Sequence, residues 1–445
     1  MNRRRFIGNS VKIGAGLFVM PTIMMNGMDS NNKPALLGGK SASAWGFSRW
    51  PIYDKSEESS LVKVLNSGQW GRLGGQVSPA FEKEYAKLLG VKSCLAVSSG
   101  TSALYTMLGA LDIGPGDEVI IPVYTFVATY NVLVQNYALP VFVDTDMETF
   151  QIDANKIESA ITQDTKILMP VHIGGSPADM DKILSIGKKH KLPIIEDACQ
   201  AVMGEWKGEK LGSLGLGGAF SFQSSKNLNC AEGGAITSND EDFIKKCYTF
   251  HNQGQGGAST SYGTGAGTRG TNLRITEFQS TLLLAQMSRL AEQAKTRSEN
   301  AIYLSKMFNE IPGITPAKLY KGTTNSAYHL YMFRYDKSHF AGMSRPRFIQ
   351  ALAAEGIPCD AGYGQMNKDL YVQGLAKNPH YLKVYGEHKM KEWLERINCP
   401  QNDKLTSEQS LWFTQTMLLA PKSDMEKITA AVMKIQKNAA QLVKY

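Results

Sequence analysis

The chain has 445 residues, 43% hydrophobic and 20% charged, with a formal net charge of +8. That is the make-up of a globular protein large enough for one α/β domain and a smaller companion. Arg3, Arg4, Arg5 and Lys12 concentrate much of the positive charge near the start, no lysine/arginine stripe interleaved with aromatics follows, and nucleic acid is excluded as an expected partner. The six cysteines (Cys94, Cys199, Cys230, Cys247, Cys359 and Cys399) are scattered, with no metal-ligand spacing and no dense disulfide framework.

Asn2-Arg3-Arg4-Arg5-Phe6-Ile7-Gly8 reads as a twin-arginine export motif. An apolar stretch from Ile13 to Met25 follows, interrupted by glycines and Pro21, too short and broken to span a membrane well. Residues 1–28 are therefore expected to be an export signal, cleaved between about Asn26 and Lys33. The protein would then be periplasmic or otherwise exported, touching a membrane only during transit. The plain alternative is a cytoplasmic protein with an untidy start. Residues 29–48 read as a linker or arm, 49–312 as a large domain and 313–445 as a small one.

Helices are predicted at Glu57 to Asn66 and Val77 to Leu89 from their apolar spacing. Ser99-Gly100-Thr101 opens another, Ser102 to Leu111. Glycine there lets backbone approach a ligand, and the exposed amides at a helix's positive end suit a phosphate. A plain N-cap is the alternative. Gly114-Pro115-Gly116-Asp117 turns into a buried strand, Glu118 to Val123, with Phe126 just beyond it. Strands at Val141–Asp144, Ile167–His172, Ile194–Asp197, Ala219–Phe222 and Ala235–Thr237 then alternate with helices at Ala154–Ile161, Ala178–Lys189 and Glu241–Phe250. Such alternation predicts an α/β fold with a mostly parallel sheet covered by helices. Ligands bind at the carboxyl ends of such strands, where Asp197, Ser221 and Lys226 fall. The loop from His251 to Arg269 is too long for a plain connection. A long helix from Glu277 to Phe308 joins the two domains, and the remainder, with a strand at Tyr328–Arg334 and a helix at Arg345–Glu355, reads as α+β.

Lys226 sits in a polar turn between two apolar strands. Burial lowers an amine's pKa, and a neutral amine forms a Schiff base with an aldehyde. A lysine together with an aspartate for a pyridine nitrogen is the protein's share of pyridoxal-phosphate chemistry. A solvated loop lysine is the plain alternative, and the strand-end position of Asp197 argues against it.

Seven blocks in order carry a resemblance: Ser99 to Leu104, Gly114 to Pro122, Thr125-Phe126, Pro140 to Asp144, Pro170-Val171-His172, Glu196-Asp197-Ala198-Cys199-Gln200, and Ser225-Lys226-Asn227-Leu228. Together they resemble the DegT/DnrJ/EryC/StrS family of sugar aminotransferases, from about Leu36 to the C-terminus. The resemblance implies the fold-type-I pyridoxal-phosphate architecture, with a seven-stranded type of large-domain sheet. It also implies Lys226 as the Schiff-base lysine and acid/base, and Asp197 as partner of the pyridine nitrogen. Gln200 would lie by the ring hydroxyl, Phe126 would stack on the ring, and Ser221, Gly100 and Thr101 would hold the phosphate. Gly270-Thr271-Asn272-Leu273-Arg274-Ile275 is similar to a family block whose asparagine reaches the neighbouring subunit's phosphate, which implies a homodimer sharing its active sites through Asn272. Thr271 and Leu273 replace that block's tyrosines. Ala361 to Met366 departs from the commonest family loop, while Asn398-Cys399-Pro400 and Leu411 to Ala420 are similar to the branch that aminates inososes. The implied activity is ping-pong transfer of an amino group from glutamate or glutamine to a keto-sugar or cyclitol ketone. A pyridoxal-phosphate-dependent dehydratase or isomerase is the first rival, which Lys226 argues against. An exported, non-catalytic binding protein of the same fold is the second.

Overall fold

The computed structural model describes residues 32–42, 49–256 and 268–445. The export-signal segment and the middle of the His251–Arg269 loop, residues 257–267, lie outside the described residues. Helices α1 (Lys55–Ser67) and α2 (Val77–Leu89) lead to strand β1 (Ser93–Val97) and helix α3 (Gly100–Ala110). The chain then alternates through β2 (Glu118–Pro122), α4 (Ala128–Gln135), β3 (Leu139–Val143), α5 (Ala154–Ala160), β4 (Thr165–Leu168), α6 (Met180–His190) and β5 (Ile195–Asp197). A short hairpin of β6 (Glu205–Trp206) and β7 (Glu209–Lys210) precedes β8 (Gly217–Ser221), β9 (Gly234–Ser238), α7 (Glu241–His251) and the long helix α8 (Glu277–Phe308).

β3, β2 and β4 pair in parallel. Parallel bridges at Leu168–Ile194 and Val171–Asp197 carry the sheet on to β5. β5 pairs in parallel with β8, and β8, β9 and β1 are antiparallel neighbours. The order is thus β3-β2-β4-β5-β8-β9-β1. With β9 reversed, β1, β2, β5 and β8 all point their carboxyl ends to one edge. Side chains alternate across the sheet. Val119, Ile121 and Ile195 pack with Leu104, Leu133 and Phe243 on one face. Ile120, Val141 and Phe220 pack with Tyr85, Ile183 and Leu283 on the other.

After α8 come β10 (Ile314–Pro316), β11 (Thr323–Asn325), β12 (Leu330–Tyr335), α9 (Arg345–Ala354), α10 (Leu370–Gly374), α11 (Pro379–Arg396), α12 (Pro400–Lys404), β13 (Ser410–Thr414), α13 (Lys422–Lys437) and α14 (Ala439–Lys444). β10, β12 and β13 form an antiparallel sheet over its own apolar cluster with α9 and α13. α11 does not stay with that sheet. Its Met390 and Trp393 join the core of β2 and β3. Trp393 Nε1 donates to Pro140 O at 2.7 Å, and Arg396 grips the fully buried Glu118 at 3.0 Å. No helix among the described residues is long and apolar enough to cross a membrane.

The N-terminal arm is strapped to the small sheet's helices. Glu355 is completely buried. Its carboxylate accepts hydrogen bonds from Ala35 N and Ala42 N, both at 2.8 Å, and pairs with Lys434 at 2.6 Å. Asn438 Nδ2 also donates to Asn32 O at 3.1 Å. Removing one member of a buried ion pair strands the other. Glu355→Ala is therefore expected to destabilise the protein by about 3–5 kcal/mol, read as a lower guanidinium midpoint. An unchanged midpoint would show that the arm is not held this way.

Candidate active site

The converging carboxyl ends of β1, β2, β5 and β8 frame a cavity of about 680 Å³, the position at which parallel sheets bind ligands. β5 ends at Asp197, which is buried. Its Oδ2 accepts a hydrogen bond from Thr129 Oγ1 at 2.9 Å, and Thr125 Oγ1 stands 2.8 Å behind that hydroxyl. Cys199 N donates to Oδ1 at 3.2 Å. The carboxylate is thus held rigidly at the cavity wall.

The chain leaves β8 through Ser221 and turns at Lys226. By exposed surface Lys226 is only half-buried, because it faces the cavity. Its amine is nevertheless ringed by protein, and that burial pushes its pKa below the usual 10.5, with Cys199 and Asp197 opposing the shift. The plain alternative of a solvated loop lysine is removed by this placement. The next residue anchors the turn. Asn227 Nδ2 donates to Ala327 O at 2.8 Å, and His329 Nδ1 lies 3.2 Å from Asn227 Oδ1. Burial holds His329 well below its usual pKa, aided by the charges of Lys226 and Arg297. The imidazole is therefore neutral, and its Nδ1–H donates to the asparagine.

Opposite lies the start of α3. Ser99 is its N-cap, with Oγ accepting from Ser102 N at 3.0 Å. The amides of Gly100 and Thr101 belong to the first turn and have no intrahelical acceptor. Both residues line the cavity, as does Ser221. Besides letting the backbone approach a ligand, glycine at position 100 has a packing reason. A Cβ there would fall 2.6 Å from Ser221 Cβ and 2.8 Å from Cys199 Sγ, so the helix start could not sit against the strand ends.

Gln200 reaches the cavity with both ends engaged. Its Oε1 accepts from Gly174 N and its Nε2 donates to Tyr363 OH, each at 2.7 Å. Phe126 projects into the open side, more than half exposed, with its ring 6.4 Å from that of Tyr363. Lys226, Asp197, Gly100, Thr101, Phe126, Gln200 and Ser221 are thus brought to one cavity. Asn272 is not. It is exposed, and its side chain accepts a hydrogen bond from Arg274 N at 3.4 Å. Tyr363, His329, Trp412 and Gln415 also line the cavity and were not singled out from the sequence. Burial raises the Tyr363 phenol to about 12, so it stays protonated at neutral pH.

The set can hold an aromatic ring bearing an aldehyde, a protonated nitrogen and a phosphate. It offers a desolvated amine, a fixed carboxylate, two free amides and a hydroxyl.

A model of the DegT/DnrJ/EryC1/StrS aminotransferase family matches residues 51–410. The chain is 31% identical to L-glutamine:2-deoxy-scyllo-inosose aminotransferase of Streptoalloteichus tenebrarius, with 88% of this chain and 95% of that protein covered. It is 38% identical to the spore coat polysaccharide biosynthesis protein SpsC of Bacillus subtilis, covering 76% of this chain and 85% of that one. The crystal structure of 3-amino-5-hydroxybenzoic acid synthase superposes with a TM-score of 0.78 at 29% identity, over 90% of this chain and 100% of that one. The chain belongs to the DegT/DnrJ/EryC1/StrS aminotransferase family and has its fold-type-I architecture.

Gly100→Ala is expected to cost about 1–3 kcal/mol of stability through overpacking, seen in thermal denaturation. A variant as stable as the parent would mean that α3 can shift without cost.

Proposed function

We propose that this aminotransferase uses pyridoxal phosphate to move an amino group from glutamine or glutamate to a ketone on a sugar or cyclitol. The observation that carries the reading is the desolvated Lys226 amine in one cavity with the rigid Asp197 carboxylate. The relatives' named reactions, amination of an inosose among them, support the acceptor class. Pyridoxal phosphate, when bound, supplies an aldehyde that exchanges amines and a ring that takes up electrons.

The residues present fit that group. The amides of Gly100 and Thr101, with the Ser221 hydroxyl, hold the phosphate. Asp197 would keep the proton on the ring nitrogen, its carboxylate oriented by Thr129 and Cys199 N. Phe126 would cover one face of the ring. Gln200, locked between Gly174 and Tyr363, orients the ring's hydroxyl side. Lys226 Nζ takes the proton from the donor's Cα and returns one during the other half of the cycle, which its lowered pKa allows at lower pH than a surface lysine. Donor and acceptor use the cavity in turn, in a ping-pong sequence. Asn272 lies outside this cavity and serves the phosphate site of a second subunit, so the working unit is a homodimer.

The twin-arginine motif at Arg3-Arg4 exports the chain after it has folded with its cofactor. Cleavage falls between about Asn26 and Lys33, ahead of the amides of Ala35 and Ala42 that bind Glu355. An exported enzyme meets few nucleotide-linked sugars, so the acceptor is a free or oligosaccharide-borne keto group. Conversion of a nucleotide-linked keto-sugar as the preferred acceptor would overturn that choice.

The test is an absorption spectrum of the purified, cofactor-loaded protein. L-Glutamine is expected to bleach its visible band, and Lys226→Ala to slow the reaction by at least about 100-fold. A band that no amino acid bleaches would refute amino transfer.

A further inference from the structure

Arg297 lies behind the cavity rather than in its lining. It stands on α8 with no exposed surface. Its Nε donates to Gln415 Oε1 at 2.8 Å, and the guanidinium carbon lies 5.4 Å from the centre of a Trp50 ring. Both terminal nitrogens, Nη1 and Nη2, are buried without a hydrogen-bond partner among the described residues. Burial pushes its pKa down to about 9, with no acidic neighbour opposing the shift. A buried cation with no counter-charge is costly to keep. Trp50, His329 and Gln415 all line the cavity, so this charge stands directly behind its wall.

The hydrogen bond from Arg297 also fixes Gln415. Arginine can only donate, so Gln415 Oε1 must face it and Nε2 must point the other way. The acceptor that Nε2 finds is Ser225 O at 3.4 Å, beyond the usual hydrogen-bond range. Gln415 N is tied in addition to His329 O at 3.1 Å. The result is an amide donor, polarised by a buried cation, held beside the residue that precedes Lys226.

We propose that Gln415 Nε2 binds the α-carboxylate of the amino-acid donor, with Arg297 as the positioning residue that orients Gln415 and supplies the positive field. The assignment rests on the amino-transfer reading and deepens it. Lys226 must act on the donor's Cα, and the carboxylate is bonded to that same carbon. Whatever recognises the carboxylate must therefore lie near Lys226, and Gln415, though almost wholly buried, lines the same cavity with its Nε2 turned to the carbonyl of the preceding Ser225. The two substrates that share the cavity differ in charge there. The donor carries an anion at Cα, and a keto-sugar or cyclitol is neutral. A hydrogen-bond donor with a buried cation behind it favours the first without needing to grip the second.

The experiment compares L-glutamine with 4-aminobutanamide, the same molecule without its α-carboxylate, in single-turnover reactions of the cofactor-loaded protein. The wild type is expected to prefer glutamine by about tenfold or more, the worth of one charge-assisted hydrogen bond. Gln415→Glu places a carboxylate where the donor's would bind and gives Arg297 its missing partner. The ratio of the two efficiencies should fall by about tenfold or more, while the thermal midpoint of the cofactor-free variant rises. Arg297→Met should lower the same ratio as well. A ratio that Gln415→Glu leaves unchanged overturns the assignment, as does a wild type that reacts with both amines equally well. A wild type that reacts with neither, nor with L-glutamate, overturns amino transfer itself and the assignment with it, and one that reacts with L-glutamate alone is compared with 4-aminobutanoate by the same ratio.

Discussion

An amine and a carboxylate have been taken out of water at the carboxyl edge of one sheet, and most of the surrounding structure serves to keep them there. Asp197 is held by the Thr129 hydroxyl and the Cys199 amide, neither of which neutralises it. Lys226 is desolvated, with its pKa lowered. Placing two such groups on a protein surface would be cheap and of little use. Placing them in a cavity wall costs free energy that packing elsewhere must offset. The two apolar layers on either side of the sheet supply that offset.

The same constraint explains the helix start. The proposed phosphate site needs unpaired amides at a rigid position, and the first turn of α3 offers them only while it lies against Ser221 and Cys199. Gly100 leaves just enough room for that approach. The strand direction matters too. Because β9 runs against β8, β1 runs with it, and the loop after β1 reaches the same edge as the loops after β5 and β8.

Much of this could be read from the sequence, and the reasons are local. α2 and α8 carry clear signals at their ends. Gly90 closes the first, and Thr276 with Gln279 forms a capping box that opens the second, so both were placed to the residue. Asp197, Ser221 and Lys226 were found because each lies at a strand end. β1 and α4 were missed. β1 (Ser-Cys-Leu-Ala-Val) lacks a clear apolar/polar alternation, and α4 has no side-chain cap and no charged residue, so neither shows a distinct period or start. The strand expected to run from Ile167 to His172 stops at Leu168, since Pro170 has no N–H to donate to a ladder. It resumes only as a bridge from Val171 to Asp197. Residues that meet only in three dimensions gave no local signal. His329, Tyr363, Gln415 and Arg297 come from four separate segments. Likewise, nothing in the spacing of α11 tells that Trp393 returns to β3 rather than staying with the second sheet.

The contacts around Asn227 link the two sheets at Lys226. Lys226 belongs to the loop after β8, yet the residue that follows it is fixed by Ala327 O and His329 at the entry to β12, and the carbonyl that precedes it faces Gln415 after β13. The lysine therefore sits where the large sheet and the second sheet agree. A neutral His329 suits that duty. A charged imidazole beside Lys226 and Arg297 would be repelled by both, and burial and those two cations hold it in the neutral form. The lysine's reach is thus set by packing between units far apart in sequence, rather than by the turn that carries it.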